Sequence, residues 1–129
     1  MAARSKAVFT NEAPRPIGPY SQAIVCGDYV FCSGQLGLDP LTGELVGKSA
    51  RDQAERALMN LRAVLNTAGS ELSHVVKVTL YLKNMKDFDE VNAVYAKHFV
   101  DGKPARSTVE VSELPKEALV EIDAIAEVR

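Results

Sequence analysis

Val75-Val76-Lys77-Val78-Thr79-Leu80-Tyr81-Leu82 is the stretch on which the fold turns. Val76, Val78, Leu80 and Leu82 alternate with Lys77, Thr79 and Tyr81, which predicts a strand with one apolar face and one mixed face. The segments on either side of it read as helices. Ahead of it, Ala54, Ala57, Leu58, Leu61, Val64, Leu65 and Ala68 recur at three- and four-residue steps, and Gly69 stands where a C-terminal cap belongs. Behind it, Phe88, Val91, Val94, Tyr95 and Phe99 mark a second helix. Asp87 followed by Glu90 predicts a capping box at its start, with Asp in place of the usual Ser or Thr. His98 falls at its end, where a cation suits the helix macrodipole.

Further out, the pattern returns to strands. Ala7–Thr10 reads as a short first strand, followed by a loop punctuated by Pro14, Pro16, Gly18 and Pro19. Ile24–Ser33 reads as a hairpin turning at Gly27-Asp28. Asp39-Pro40-Leu41-Thr42-Gly43-Glu44 is dense in turn residues and predicts an exposed loop. Two more strands close the chain, Pro104-Ala105-Arg106-Ser107-Thr108-Val109-Glu110-Val111 and Val120-Glu121-Ile122-Asp123-Ala124-Ile125-Ala126. The order is strands, helix, strand, helix, strands. That predicts an α+β fold in which two helices cover one face of a mostly antiparallel sheet. No linker, repeat or low-complexity segment divides residues 1–129, so a single domain is expected.

The face away from the helices is expected to carry Lys77, Thr79 and Tyr81, then Arg106, Thr108 and Glu110, then Glu121, Asp123 and Ile125. Such a face is either solvated or buried against another subunit. The second is favoured by Leu119 and Ile125, which interleave with the carboxylates.

Composition narrows the function classes. A formal net charge of −2, without a basic patch interleaved with aromatics, argues against nucleic acid as a partner. The absence of an apolar run of membrane-spanning length, or of a signal-like stretch after the basic residues in Met1–Lys6, predicts a soluble cytoplasmic protein. On the hairpin register Cys26 faces Tyr29 and Cys32 faces Ala23. The two thiols are therefore expected to be separate small buried residues in a reducing compartment. His74 and His98 lack ligand-spaced neighbours, so no metal is expected.

Chemistry enters with Arg106 and Glu121. A guanidinium fork can grip a carboxylate through two parallel hydrogen bonds, and a nearby carboxylate can aim a water. Together they suffice for a small hydrolase; from these residues alone, a surface ion pair between strands is the favoured reading.

Five motifs now stand in order: Ile17-Gly18-Pro19-Tyr20-Ser21-Gln22, Ser33-Gly34-Gln35, Asp39-Pro40-Leu41-Thr42-Gly43, Pro104-Ala105-Arg106-Ser107 and Glu121-Ile122-Asp123-Ala124-Ile125-Ala126. From about Ala7 to the C-terminus the chain resembles the YjgF-like reactive intermediate deaminases, the Rid family, and within it the RidA-type members. The resemblance implies a chorismate-mutase-like subunit, assembled as a homotrimer with ligand sites in the clefts between neighbours. It implies hydrolysis of 2-enamine and 2-imino acids, such as 2-aminoacrylate/2-iminopropanoate and 2-iminobutanoate, to 2-keto acids and ammonia, with no cofactor.

By the same resemblance Arg106 binds the substrate carboxylate and Glu121 positions the water. Tyr20, Ser33, Gly34, Asn92 and Thr108 line the ligand site. Many bacterial relatives carry Cys where this chain has Thr108, and an aromatic residue where it has Lys103. Two other readings stay open: a trimer that binds small carboxylates as a regulator, and the endoribonuclease or translation-inhibitor activity described for some family members.

Overall fold

The computed structural model describes residues 5–129. The regular elements are β1 (Ser5–Val8), β2 (Ala23–Cys26), β3 (Tyr29–Leu36), α1 (Ala50–Thr67), β4 (Val75–Leu82), α2 (Phe88–His98), β5 (Ala105–Glu110) and β6 (Val120–Glu127). The strands form one six-stranded sheet in the order β1-β2-β3-β6-β4-β5. All neighbours run antiparallel except β4 and β5, which are parallel and joined through α2. The first strand lies two residues ahead of the expected Ala7–Thr10 and ends at Val8, its one buried residue.

The hairpin follows from its turn chemistry. Gly27 takes a left-handed φ of +62°, and the register pairs Cys26 with Tyr29 and Ala23 with Cys32, as expected. Only Cys32 is buried, however; Cys26 ends the strand at the exposed turn, so the expectation of two buried thiols is corrected. Burial, and secondarily the Asp123 charge, push the Cys32 thiol up to about 12, which leaves it an inert packing group.

Both helices pack on one face, where Val30, Val78, Leu80, Leu82, Val120 and Ile122 of the sheet meet Leu58, Leu61, Val64 and Leu65 of α1 and Val91 of α2. Helix α1 starts before the apolar periodicity does, because Ser49 caps it by accepting from the Asp52 N–H at 3.0 Å. At the other end Gly69 supplies φ +86° just beyond the cap. The capping box expected for α2 does not form. Asp87 ends a 3₁₀ turn and makes no side-chain cap bond, while Glu90 accepts instead from the Arg51 N–H. Polar side chains on the buried side of α1 fasten it to the end of β3 and to the start of β6. Asn60 donates to the carbonyls of Leu36 (3.1 Å) and Leu38 (2.9 Å), and Gln53 accepts from the Leu119 N–H at 2.7 Å.

Two irregularities change the expected faces. The β4–β6 register shifts between Val75 and Lys77, so Val76 is the extra residue. Val75 turns into the core and Val76 is 42% exposed, reversing the expectation for Val76. The β3–β6 register shifts between Cys32 and Gln35, which makes a bulge of Ser33-Gly34.

The open face does carry Lys77, Thr79 and Tyr81 beside Ile125, Asp123 and Glu121. It does not carry Arg106, Thr108 and Glu110. Parallel pairing sets these opposite Val78, Leu80 and Leu82, on the helix side, and leaves Ser107 and Val109 on the open face. Leu119 packs against the core rather than on the open face.

Candidate active site

The residues expected to form one site fall into two groups on this chain. The first gathers at the Ser33-Gly34 bulge, where a small cleft is lined by Pro14, Ile17, Tyr20, Gly34, Pro115 and Glu121 among others. Glycine at position 34 makes room for Glu121: a Cβ there would lie 2.8 Å from the Glu121 Cγ and closer still to its carboxylate, so any side chain would displace that carboxylate. Tyr20 reaches over the loop, its hydroxyl accepting from the Ile17 N–H at 3.1 Å. Ser33 donates from Oγ to the Ser21 carbonyl at 2.6 Å, and its N–H is taken by the Gln22 carbonyl. The Ser33 N–H is therefore not a free donor for a ligand.

Behind this wall, the buried Gln22 side chain accepts from the Thr10 N–H at 2.7 Å and donates to the Pro14 carbonyl at 2.9 Å. It ties the Pro-rich loop to the sheet, a role its place in the motif did not signal.

Glu121 is half-buried at this cleft. Loss of hydration raises its carboxyl above the ordinary range, and the Asp123 carboxylate on the same strand face adds to the rise. Asp123 is itself engaged, accepting from the Tyr81 hydroxyl at 3.1 Å. Glu121 thus has the raised affinity for a proton that a base working near neutral pH needs.

The second group sits across β4, on the helix side of the edge strand β5. Arg106 and Thr108 point toward α2, where Phe88, Asn92 and Tyr95 follow at four- and three-residue steps along one stripe. The Arg106 guanidinium carbon lies 4.6 Å from the Tyr95 ring centre and 5.7 Å from that of Phe88. Among the described residues the ion pairs are His74–Glu71 and His98–Glu55, and Arg106 enters neither. The surface ion pair between Arg106 and Glu121 is therefore not formed. Glu110 plays a structural part at the strand end, accepting from the Met85 N–H at 2.7 Å.

Within one chain Arg106 and Glu121 do not meet. They lie on opposite faces of the sheet, with β4 between their strands, so two strand spacings (about 10 Å) separate the backbones before the side chains diverge. The chemistry of each group is complementary: one is a cation with no ion-pair partner among the described residues, which can hold an anion, the other a proton-avid carboxylate in a small cleft. Among the described residues no cluster of His, Cys, Asp and Glu could hold a metal ion, and no helix is long and apolar enough to cross a membrane.

The family model described as Endoribonuclease L-PSP matches residues 10–128. The chain belongs to this family, the YjgF/Rid family. A RutC family protein of Pyrococcus horikoshii is 54% identical over 119 residues, covering 92% of this chain and 94% of the relative. A 2-iminobutanoate/2-iminopropanoate deaminase of Dermatophagoides farinae is 47% identical over 118 residues, covering 92% of each. Among solved structures, RidA from an Antarctic Psychrobacter superposes with a TM-score of 0.92 at 39% identity, over 95% of this chain and 99% of that one. The α+β architecture is thus that of the Rid proteins.

Proposed function

We propose that this Rid-family chain hydrolyses reactive 2-imino acids and their enamine tautomers, such as 2-iminopropanoate and 2-iminobutanoate, to 2-keto acids and ammonia. The observation that carries the reading is the Glu121 carboxyl, half-buried against Gly34 in a small cleft, with its proton affinity raised by burial and by Asp123. The deaminase from Dermatophagoides farinae, alike over 92% of both chains, supports the same substrate class.

The chemistry needs few groups. Arg106 holds the substrate carboxylate through charge-assisted hydrogen bonds, which fixes the plane of the neighbouring C=N carbon. Water held by Glu121 adds to that carbon as Glu121 takes one of its protons. The proton then passes from Glu121 to the amino group. As the C–N bond breaks and ammonia leaves, Glu121 takes the carbinol proton and the carbinol oxygen becomes the keto oxygen. That proton departs with ammonia as ammonium. A protonated imine is already electrophilic, so positioning and one base account for the acceleration without a cofactor. Tyr20, Ser33 and Gly34 line the Glu121 side of this site, and Asn92 and Thr108 line the Arg106 side.

Because one chain separates the two sides, the complete site belongs between copies. The open sheet face supports such an assembly: Ile24, Phe31, Val109 and Ile125 are on it, with Phe31 47% and Val109 40% exposed in the single chain. A homotrimer that buries this face and sets the Arg106 half of one copy against the Glu121 half of the next completes the site. The test generates 2-iminobutanoate and 2-aminoacrylate in place with a threonine/serine dehydratase, and follows the imine by competition with semicarbazide. Wild type accelerates hydrolysis, and Arg106→Ala and Glu121→Ala, each folded, do not. A wild type equal to buffer on both substrates overturns the reading.

A further inference from the structure

We infer that Tyr95, together with Phe88, is a positioning residue that aims Arg106: the aromatic stripe of α2 holds the flat face of the guanidinium so that its donor edge stays free for a carboxylate. The inference rests on the carboxylate-binding role proposed for Arg106 and deepens it.

A half-buried arginine carries a charge that is costly to desolvate, and the usual compensation is a carboxylate across the fork. Arg106 has none among the described residues. Its compensation comes from π faces, with the Tyr95 ring centre at 4.6 Å and that of Phe88 at 5.7 Å, inside the range of a cation–π contact.

The two modes of support differ in what they use up. A carboxylate partner occupies the N–H edge, whereas an aromatic ring occupies the face and leaves the donors unspent. A residue whose task is to receive an incoming carboxylate is served by the second mode alone. Phe88 and Tyr95 stand seven residues apart on α2, two turns along one stripe, so the platform is rigid in the way a helix is rigid. Tyr95 is fixed in turn by Phe99, 2% exposed, whose ring centre lies 4.5 Å away.

The Tyr95 hydroxyl adds a second observation. Among the described residues it is buried without a well-formed hydrogen bond, yet it lies near Arg106: burial pushes its pKa up, and the Arg106 charge opposes that rise. Tyr95 thus meets the guanidinium both with its ring and from the side of its hydroxyl, and Tyr95→Phe separates the two contributions.

The experiment reads both turnover of 2-iminobutanoate and calorimetric binding of its product, 2-ketobutanoate. Tyr95→Leu removes the platform and is expected to raise KM and weaken keto-acid binding about tenfold, with kcat within about twofold of wild type. Tyr95→Phe restores affinity to within about twofold of wild type, because the ring returns. In an Arg106→Ala background Tyr95→Leu has no further effect, since the two act through one contact. Phe88→Leu repeats the pattern more weakly. Independently of any variant, the Arg106 Nε–H proton in the native protein is shifted upfield by the rings.

Equal losses in kcat and affinity, additivity with Arg106→Ala, or an unshifted Nε–H overturns the inference. A wild type that binds 2-ketobutanoate with these dependences but turns over no imine overturns the deaminase reading and leaves the platform standing.

Discussion

A carboxylate half removed from water, two residues from another on the same strand face, keeps its proton to higher pH than it does in solution. Glu121 is that group, with burial the larger cause and Asp123 the smaller. Stability and activity respond to it with opposite signs. The folded state holds the Glu121 proton more tightly than the unfolded chain, so this group favours folding below the ordinary glutamate range, about pH 4.3, and that contribution is lost as pH rises through the folded value. Glu121→Gln is therefore expected to melt higher than wild type at pH 7 and level with it near pH 4, while imine turnover is lost. Melting curves across that range check it, and a variant that melts lower at pH 7 contradicts it. Asp123→Asn removes the like charge and moves the acid limb of the kcat/KM profile to lower pH. At this scale the chemistry proposed for Arg106 and Glu121 was legible from residue type and motif. The supports of Arg106 were not, because Phe88 and Tyr95 read equally well as the core stripe of a helix.

Elements were legible where a periodic pattern met a decisive turn residue. Gly27-Asp28 set the hairpin register, and Gly69 set the end of α1. Where one residue is inserted, counting fails: the bulges at Val76 and at Ser33-Gly34 leave no mark in composition, yet each reverses the phase of the strand residues beyond it. The face of β5 failed for a related reason. Alternation gives two faces, and only the partner strand and its parallel direction decide that Arg106 shares the side of Val78. Buried polar residues on α1 were likewise read over, since the apolar stripe alone defines the periodicity. Asn60, fully buried, is the one that fastens the helix to the strand bearing the bulge, through the Leu36 and Leu38 carbonyls. Replacing it with Leu conserves bulk but strands both carbonyls and the Arg56 donor. Denaturant unfolding is expected to show a loss of about 2–4 kcal/mol for Asn60→Leu. Because the Ser33-Gly34 bulge is then less firmly held, activity falls at temperatures well below the new midpoint.

For the whole molecule, the mixed second face of the sheet is the argument for the proposed assembly that the sequence made readable, although Arg106 is not on that face and Leu119 packs into the core. The separation of Arg106 from Glu121 by β4 is a stronger reason, because a small imino acid cannot span it within one chain. Light scattering is expected at three times the 14.0 kDa chain mass for wild type, Arg106→Ala and Glu121→Ala alike. If each site takes Arg106 from one copy and Glu121 from the next, the two inactive variants repair each other. Unfolded together in equal amounts and refolded, they assemble at random around the three-fold axis. A given interface then pairs an intact Arg106 with an intact Glu121 about one time in four, so about a quarter of wild-type turnover per chain returns. The same proteins refolded separately and then combined stay inactive until subunits exchange. A mixture that remains inactive after joint refolding, while sedimenting as the trimer, places both residues in separate sites and removes the shared cleft from the mechanism.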